Sequence, residues 1–237
     1  MTTWARILAV FDLETTGVDV DTARIVTAHV GVLDVDGTVV HRRDWLLDPG
    51  TPIPAEATAV HGITDEHARR EGLAAAVGVA EIVTALRAVL GDGVPLVAYN
   101  ASYDLTVLAR ECARHGIAPL DRPSPVIDPL VLDRALDKYR KGKRTLEVTC
   151  AEYGVTLEGA HDAASDAIAA GRLAQAIAWR YPGELAVDAA ELHELQVEWC
   201  RRQAEDFQAY MRRVRDPEFV ACGDWPVRAL EVSRTLA

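Results

Sequence analysis

The chain has 237 residues, 49% of them hydrophobic, enough for one good-sized α/β domain and an appendage. Its net charge of −11 argues against a protein that grips nucleic acid over a broad basic surface, while leaving room for an enzyme that meets phosphates through metal ions and one local basic patch. No apolar run approaches bilayer-spanning length, the segment Met1 to Arg6 lacks the regions of a signal peptide, and Cys112, Cys150, Cys200 and Cys222 show no C-x-x-C spacing. A reduced cytoplasmic protein without membrane contact is expected.

In chain order, the apolar run Ile7 to Val10 predicts a buried strand leading into Phe11-Asp12-Leu13-Glu14-Thr15-Thr16-Gly17. Arg24 to Leu33 and Thr38 to Leu47 read as strands around the turn Asp34-Val35-Asp36-Gly37, so the first three strands form a meander. The proline-rich segment from Asp48 to Pro54 is a loop. Short helices are expected over Ala55 to His61 and Thr64 to Arg70, and a longer one over Val77 to Leu90. Pro95 to Tyr99 is a short strand, followed by a helix over Ala101 to His115 that Gly116 stops. Pro125 to Asp128 supplies a last strand, with helices over Pro129 to about Lys138, Thr145 to Tyr153 and Ala163 to Arg180. Tyr181-Pro182-Gly183 is the clearest boundary, dividing residues 1–182 from an extension over 183–237. Apolar residues recur at helical spacing from Leu192 to Val214, which predicts one amphipathic helix over about Leu185 to Val214 and an irregular tail.

On a strand, residues two apart share a face, so Asp12 and Glu14 project side by side. Burying two such carboxylates uncompensated is expensive, and a divalent cation between them removes the difficulty. A bare D-x-E more often faces solvent, and Asp104 and Asp166 taken singly read as first-turn acids favoured by the helix dipole. Together with His161 they form a pattern. Phe11-Asp12-Leu13-Glu14-Thr15-Thr16-Gly17, Ala98-Tyr99-Asn100-Ala101-Ser102-Tyr103-Asp104 and His161-Asp162-Ala163-Ala164-Ser165-Asp166 resemble the three motifs of the DEDDh family of 3′→5′ exonucleases. Val60-His61-Gly62-Ile63-Thr64 is similar to that family's segment between its first two motifs, and the resemblance covers about residues 5–180.

The resemblance implies an RNase H-like α/β fold, a five-stranded mixed sheet flanked by helices with the second strand antiparallel to the rest. It implies two Mg²⁺ or Mn²⁺ ions held by Asp12, Glu14, Asp104 and Asp166, with His161 as general base. An all-oxygen ligand set suits either ion, and a pair about 3.5–4 Å apart serves both ends of an in-line displacement at phosphorus. Leu13, Thr15, Thr16, His61, Asn100 and Tyr103 would contact the terminal nucleotide. The implied substrate is the 3′ end of single-stranded DNA or RNA. The implied setting is proofreading or repair beside a DNA polymerase or repair complex. An exoribonuclease and a non-catalytic polymerase-docking module are the rival readings, the second disfavoured because all five catalytic positions are filled.

Two features lie outside the motifs. Lys138-Tyr139-Arg140-Lys141-Gly142-Lys143-Arg144 places five positive charges in seven residues of an acidic protein, and Lys141, Lys143 and Arg144 are expected to meet phosphates upstream of the cleaved bond. The C-terminal amphipathic helix has three expected uses: packing on the catalytic domain, a homodimer interface, or a partner site.

Overall fold

A computed structural model describes residues 2–159 and 161–229; the final eight positions of the extension therefore lie outside the described residues. The first strand, β1 (Leu8–Thr15), is the centre of the sheet and carries the first motif along its C-terminal half. It is followed by β2 (Ile25–Leu33), β3 (Val39–Asp48), α1 (Ala55–His61), α2 (Asp65–Glu71), β4 (Leu73–Ala74), α3 (Ala75–Gly91), β5 (Leu96–Val97) and α4 (Ala101–Arg114). The chain continues through β6 (Val126–Ile127), α5 (Pro129–Leu136), α6 (Leu146–Glu152), α7 (Ala163–Arg180) and α8 (Ala189–Val214).

The sheet has six strands in the order β4-β3-β2-β1-β5-β6, which corrects the expected five. The additional strand is the two-residue β4, whose side chains are both exposed and which therefore has no hydrophobic alternation to read. Backbone proximity creates it: a Cβ at Gly72 would stand 2.6 Å from the Asp48 nitrogen and 2.7 Å from the Leu47 carbonyl carbon. Only glycine lets the chain come close enough for Leu73 and Ala74 to pair with Leu47 and Asp48. β1–β2 and β2–β3 are antiparallel, while β3–β4, β1–β5 and β5–β6 are parallel, so β2 alone runs against the others, as expected.

One face of the sheet packs against α3 and α4 around Phe11, Ile25, Ile82, Leu86 and Leu108, and the other against α7 around Leu8, Val10, Leu33, Leu173 and Ile177. Gly171 sets the distance on the second face. A Cβ there would lie 2.5 Å from both Leu33 Cδ1 and Val10 Cγ1, so α7 rides directly on β1 and β2.

α8 starts at Ala189 instead of Leu185, because Asp188 caps it, accepting the Glu191 amide at 2.8 Å. Its first half packs on its own chain. His193 Nδ1 accepts the Val126 amide at 3.1 Å, Gln196 Nε2 donates to the Val126 carbonyl at 3.0 Å, and Gln196 Oε1 accepts the Asp128 amide at 2.7 Å. The free edge of β6 is thereby occupied by side chains, one of the ways a sheet edge is protected from foreign strands. The tail then returns along α4: Trp225 joins the main core, and the Arg228 amide donates to Thr106 at 2.9 Å. Of the three expected uses of this helix, packing at home is the one its first half serves. No helix among the described residues is long and apolar enough to cross a membrane.

Candidate active site

β1 runs well beyond the stretch it pairs with β5, which engages only Ala9 and Val10 on that side. The amide of Leu13 therefore has no strand to donate to there, and Asp104 Oδ1 accepts it at 3.1 Å. Asp104 lies in the first turn of α4 and is buried at 3% exposure. Its depth is fixed by Asp128, whose carboxylate accepts the amides of Asn100 and Ala101 at 3.0 and 2.9 Å, and that of Leu130 at 2.9 Å. One buried acid thus caps the starts of both α4 and α5. Burial pushes the Asp128 carboxyl up to about 6, against the pull of those amides.

Asp166 comes from the opposite face of the sheet, in the first turn of α7. Asp162 caps that helix, accepting the Ser165 amide at 3.0 Å, and the close seat at Gly171 draws the first turn toward β1. His161 adopts a positive φ of 68°, and its amide donates to Asp166 Oδ2 at 3.3 Å. Ligand atoms of Glu14, His161 and Asp166 lie within 4.8 Å of one another. The imidazole is thus close enough to join the acids around a cation, whereas the resemblance gave it the role of base alone.

Four carboxylates from three segments converge here without a compensating base: among the described residues no lysine or arginine pairs with Asp12, Glu14, Asp104 or Asp166. The electrostatics follow. Asp12 is held well above the ordinary carboxylate range, first by burial and then by the charges of Asp104, Asp166, Glu14 and Asp162. Glu14 is pushed up to about 7 by burial and by Asp166 and Asp162. Burial raises Asp104 and Asp166 as well, and Asp166 Oδ1 is buried without any hydrogen-bond partner. An all-oxygen cluster of mutually repelling acids with an orphaned oxygen fits divalent cations. Such ions would supply activation of water and stabilisation of a departing oxygen. Asp162, the cap of α7, also contributes charge to the cluster, a role the sequence did not indicate.

The softer residues divide. Thr15 Oγ1 lies 2.6 Å from Tyr103 Oη and donates to the Gly17 carbonyl at 2.8 Å, which Tyr103 Oη also reaches. His61 Nδ1 accepts the Ile63 amide at 3.1 Å, which leaves the buried Nε2 without a partner. Asn100 is exposed at the start of α4 in a left-handed conformation, φ 61°. Thr16, by contrast, is spent on closing a loop, with its amide donating to the Arg24 carbonyl and its hydroxyl accepting the Arg24 amide. Leu13 is buried, so its backbone is what it presents toward the acids.

Arg144 departs furthest from expectation. Its guanidinium turns inward to the buried carboxylate of Asp133, which also binds Arg140 at 2.5 Å and accepts the Tyr153 hydroxyl at 3.1 Å. A fully buried acid needs cations more than a surface does, so two of the five charges hold the loop against α5. Lys141 and Lys143 stay exposed.

The exonuclease family model named for RNase T matches residues 9–174. The chain is 33% identical over 168 residues to the PolC-type DNA polymerase III of Lacticaseibacillus paracasei, covering 71% of this chain and 11% of that protein. It is 34% identical over 168 residues to the PolC-type enzyme of Streptococcus pyogenes, covering 69% of this chain and 10% of that protein. The chain thus spans about a tenth of these curated relatives. Among solved structures, Escherichia coli exonuclease I in complex with a dA16 oligonucleotide superposes with a TM-score of 0.64 at 20% identity, over 86% of this chain and 45% of that one. With motif residues from three segments gathered at one edge of β1 and the family match spanning all of them, the chain belongs to the DEDDh exonuclease family.

Proposed function

We propose that this protein is a metal-dependent 3′→5′ exonuclease that removes nucleoside 5′-monophosphates from single-stranded DNA, in proofreading or repair in the cytoplasm. The observation that carries the reading is the convergence of Asp12, Glu14, Asp104 and Asp166 with no lysine or arginine paired to them among the described residues. These four acids would hold two Mg²⁺ or Mn²⁺ ions, which supply an activated water and neutralise the leaving sugar oxygen. His161, exposed at the mouth and hinged by its backbone to Asp166, accepts the proton of the attacking water. The Thr15–Tyr103 pair and the free Nε2 of His61 border the terminal nucleotide, and the depth of Asp104 keeps the reacting phosphate at the end of β1. The single-strand preference is supported by the solved complexes of E. coli exonuclease I with dT13 and dA16, and the replicative setting by the PolC-type relatives.

The test is degradation of matched 5′-labelled single-stranded DNA and RNA with Mg²⁺ or Mn²⁺. A ladder shortening from the 3′ end of DNA, lost in Asp12→Ala, is expected. Faster loss of RNA would move the protein to the exoribonuclease reading, and no loss of either would leave a docking module.

A further inference from the structure

A groove of about 740 Å³ lies between two walls, α5 with the loop after it on one side and α8 with the returning tail on the other. Asn100 and Ser102, at the start of the helix whose first turn carries Asp104, are among its lining residues, as is Asp128, whose carboxylate holds that helix start. The groove therefore begins beside the helix start that positions Asp104.

Its walls have the chemistry of a single strand. Arg134 and Arg228 face it, and among the described residues neither forms an ion pair. Lys138 adds a third charge, paired at 3.1 Å with Asp206 on the opposite wall. The other acid in the groove, Asp128, is buried at 1% exposure with its carboxylate engaged by amides. On a chain of net charge −11 this local excess of cations is out of character. Trp199 and Phe207 line the α8 wall, and Phe207 is 51% exposed while meeting Phe219 edge-on at 5.4 Å. Arginines beside accessible aromatic faces are how proteins hold an unpaired strand, through phosphates on one side and base faces on the other.

We propose that this groove, half of it built by the C-terminal extension, binds the single strand upstream of the cleaved bond, with phosphates on Arg134 and Arg228 and a base on Phe207. The inference rests on the exonuclease reading for its polarity: the 3′ end lies at Asp104 and the strand leaves past Asn100 and Ser102. It gives the extension a function that no motif in it announces.

The experiment uses the full chain. In an Asp12→Ala background, fluorescence anisotropy follows binding of a 5′-labelled dT12 strand and of the matching U12 strand across a salt series. Arg134→Ala with Arg228→Ala should reduce the log–log salt slope by about 1.4, about 0.7 for each phosphate that is no longer neutralised. Phe207→Ala should weaken binding about 5- to 150-fold, the range for losing one stacked base. In the active background, all three substitutions should leave cleavage of a thymidylyl dinucleotide unchanged while raising KM for dT12. An unaltered slope and affinity in the variants, for both strands, overturns the groove. Failure of the parent protein to cleave any substrate sinks only the exonuclease reading, because anisotropy still reports on the groove.

Discussion

Gly171→Ala separates stability from catalysis in this fold. The added Cβ would fall 2.5 Å from two core carbons, Leu33 Cδ1 and Val10 Cγ1, well inside ordinary van der Waals contact, and both neighbours are fully buried. Overpacking of this kind costs about 1–3 kcal/mol, offset by about 1 kcal/mol from replacing glycine within a helix. The expected net loss is about 0–2 kcal/mol, which a urea titration resolves. The larger effect is geometric. α7 must lift from β1, and it carries Asp166 in its first turn, so a displacement of about 1 Å reaches the acid cluster and should lower kcat about 100-fold. Gly78→Ala on α3 is the control: its Cβ would meet Leu47 Cγ at 2.6 Å, across the sheet from α7, giving a similar packing conflict on a helix that carries none of the clustered acids. Full kcat in Gly171→Ala, or an equal fall in both variants, would refute the claim that this glycine sets the site.

Glu14→Gln should stabilise the metal-free protein in a pH-dependent way. The folded-state value is raised from 4.5 to about 7, so the folded protein holds its proton more tightly and loses stability as pH rises through that window. The full shift corresponds to about 3 kcal/mol, reduced to about 1–2 kcal/mol because solvent reaches this carboxylate. The melting-temperature gap between variant and parent in EDTA should therefore be larger at about pH 8 than at about pH 5, and an equal gap contradicts the repulsion. His161→Ala should reduce the rate about 10²- to 10⁴-fold, and calorimetric Mn²⁺ titration of the same variant tells a proton acceptor, with affinity kept, from a ligand, with affinity lost. Asp133→Ala strands the guanidiniums of Arg140 and Arg144 around an empty pocket and should cost about 3–5 kcal/mol in chemical denaturation; a loss under about 1 kcal/mol would return those arginines to solvent.

Much of this protein is written locally. The meander, the caps at Thr64 and Thr145 and the helix over Ala163–Arg180 follow from alternation, helical spacing and side-chain capping, which act over a few residues. The acids were legible for the same reason: strand alternation pairs Asp12 with Glu14, and first-turn positions aim Asp104 and Asp166 from their helix starts. What the local rules could not decide were matters of distance between segments far apart in the chain. β4 exists because Gly72 lets two backbones touch, although Leu73 and Ala74 carry no pattern of their own. The basic run looked uniform as a string of charges, yet a buried Asp133 takes Arg140 and Arg144 and leaves Lys141 and Lys143 outside. Gln196 and His193 lie on a helix predicted from its apolar spacing alone, and only the folded chain sets them beside the free edge of β6. In the last two cases a side chain's role was set by an unsatisfied group it meets only after folding, and burial makes leaving that group alone too costly.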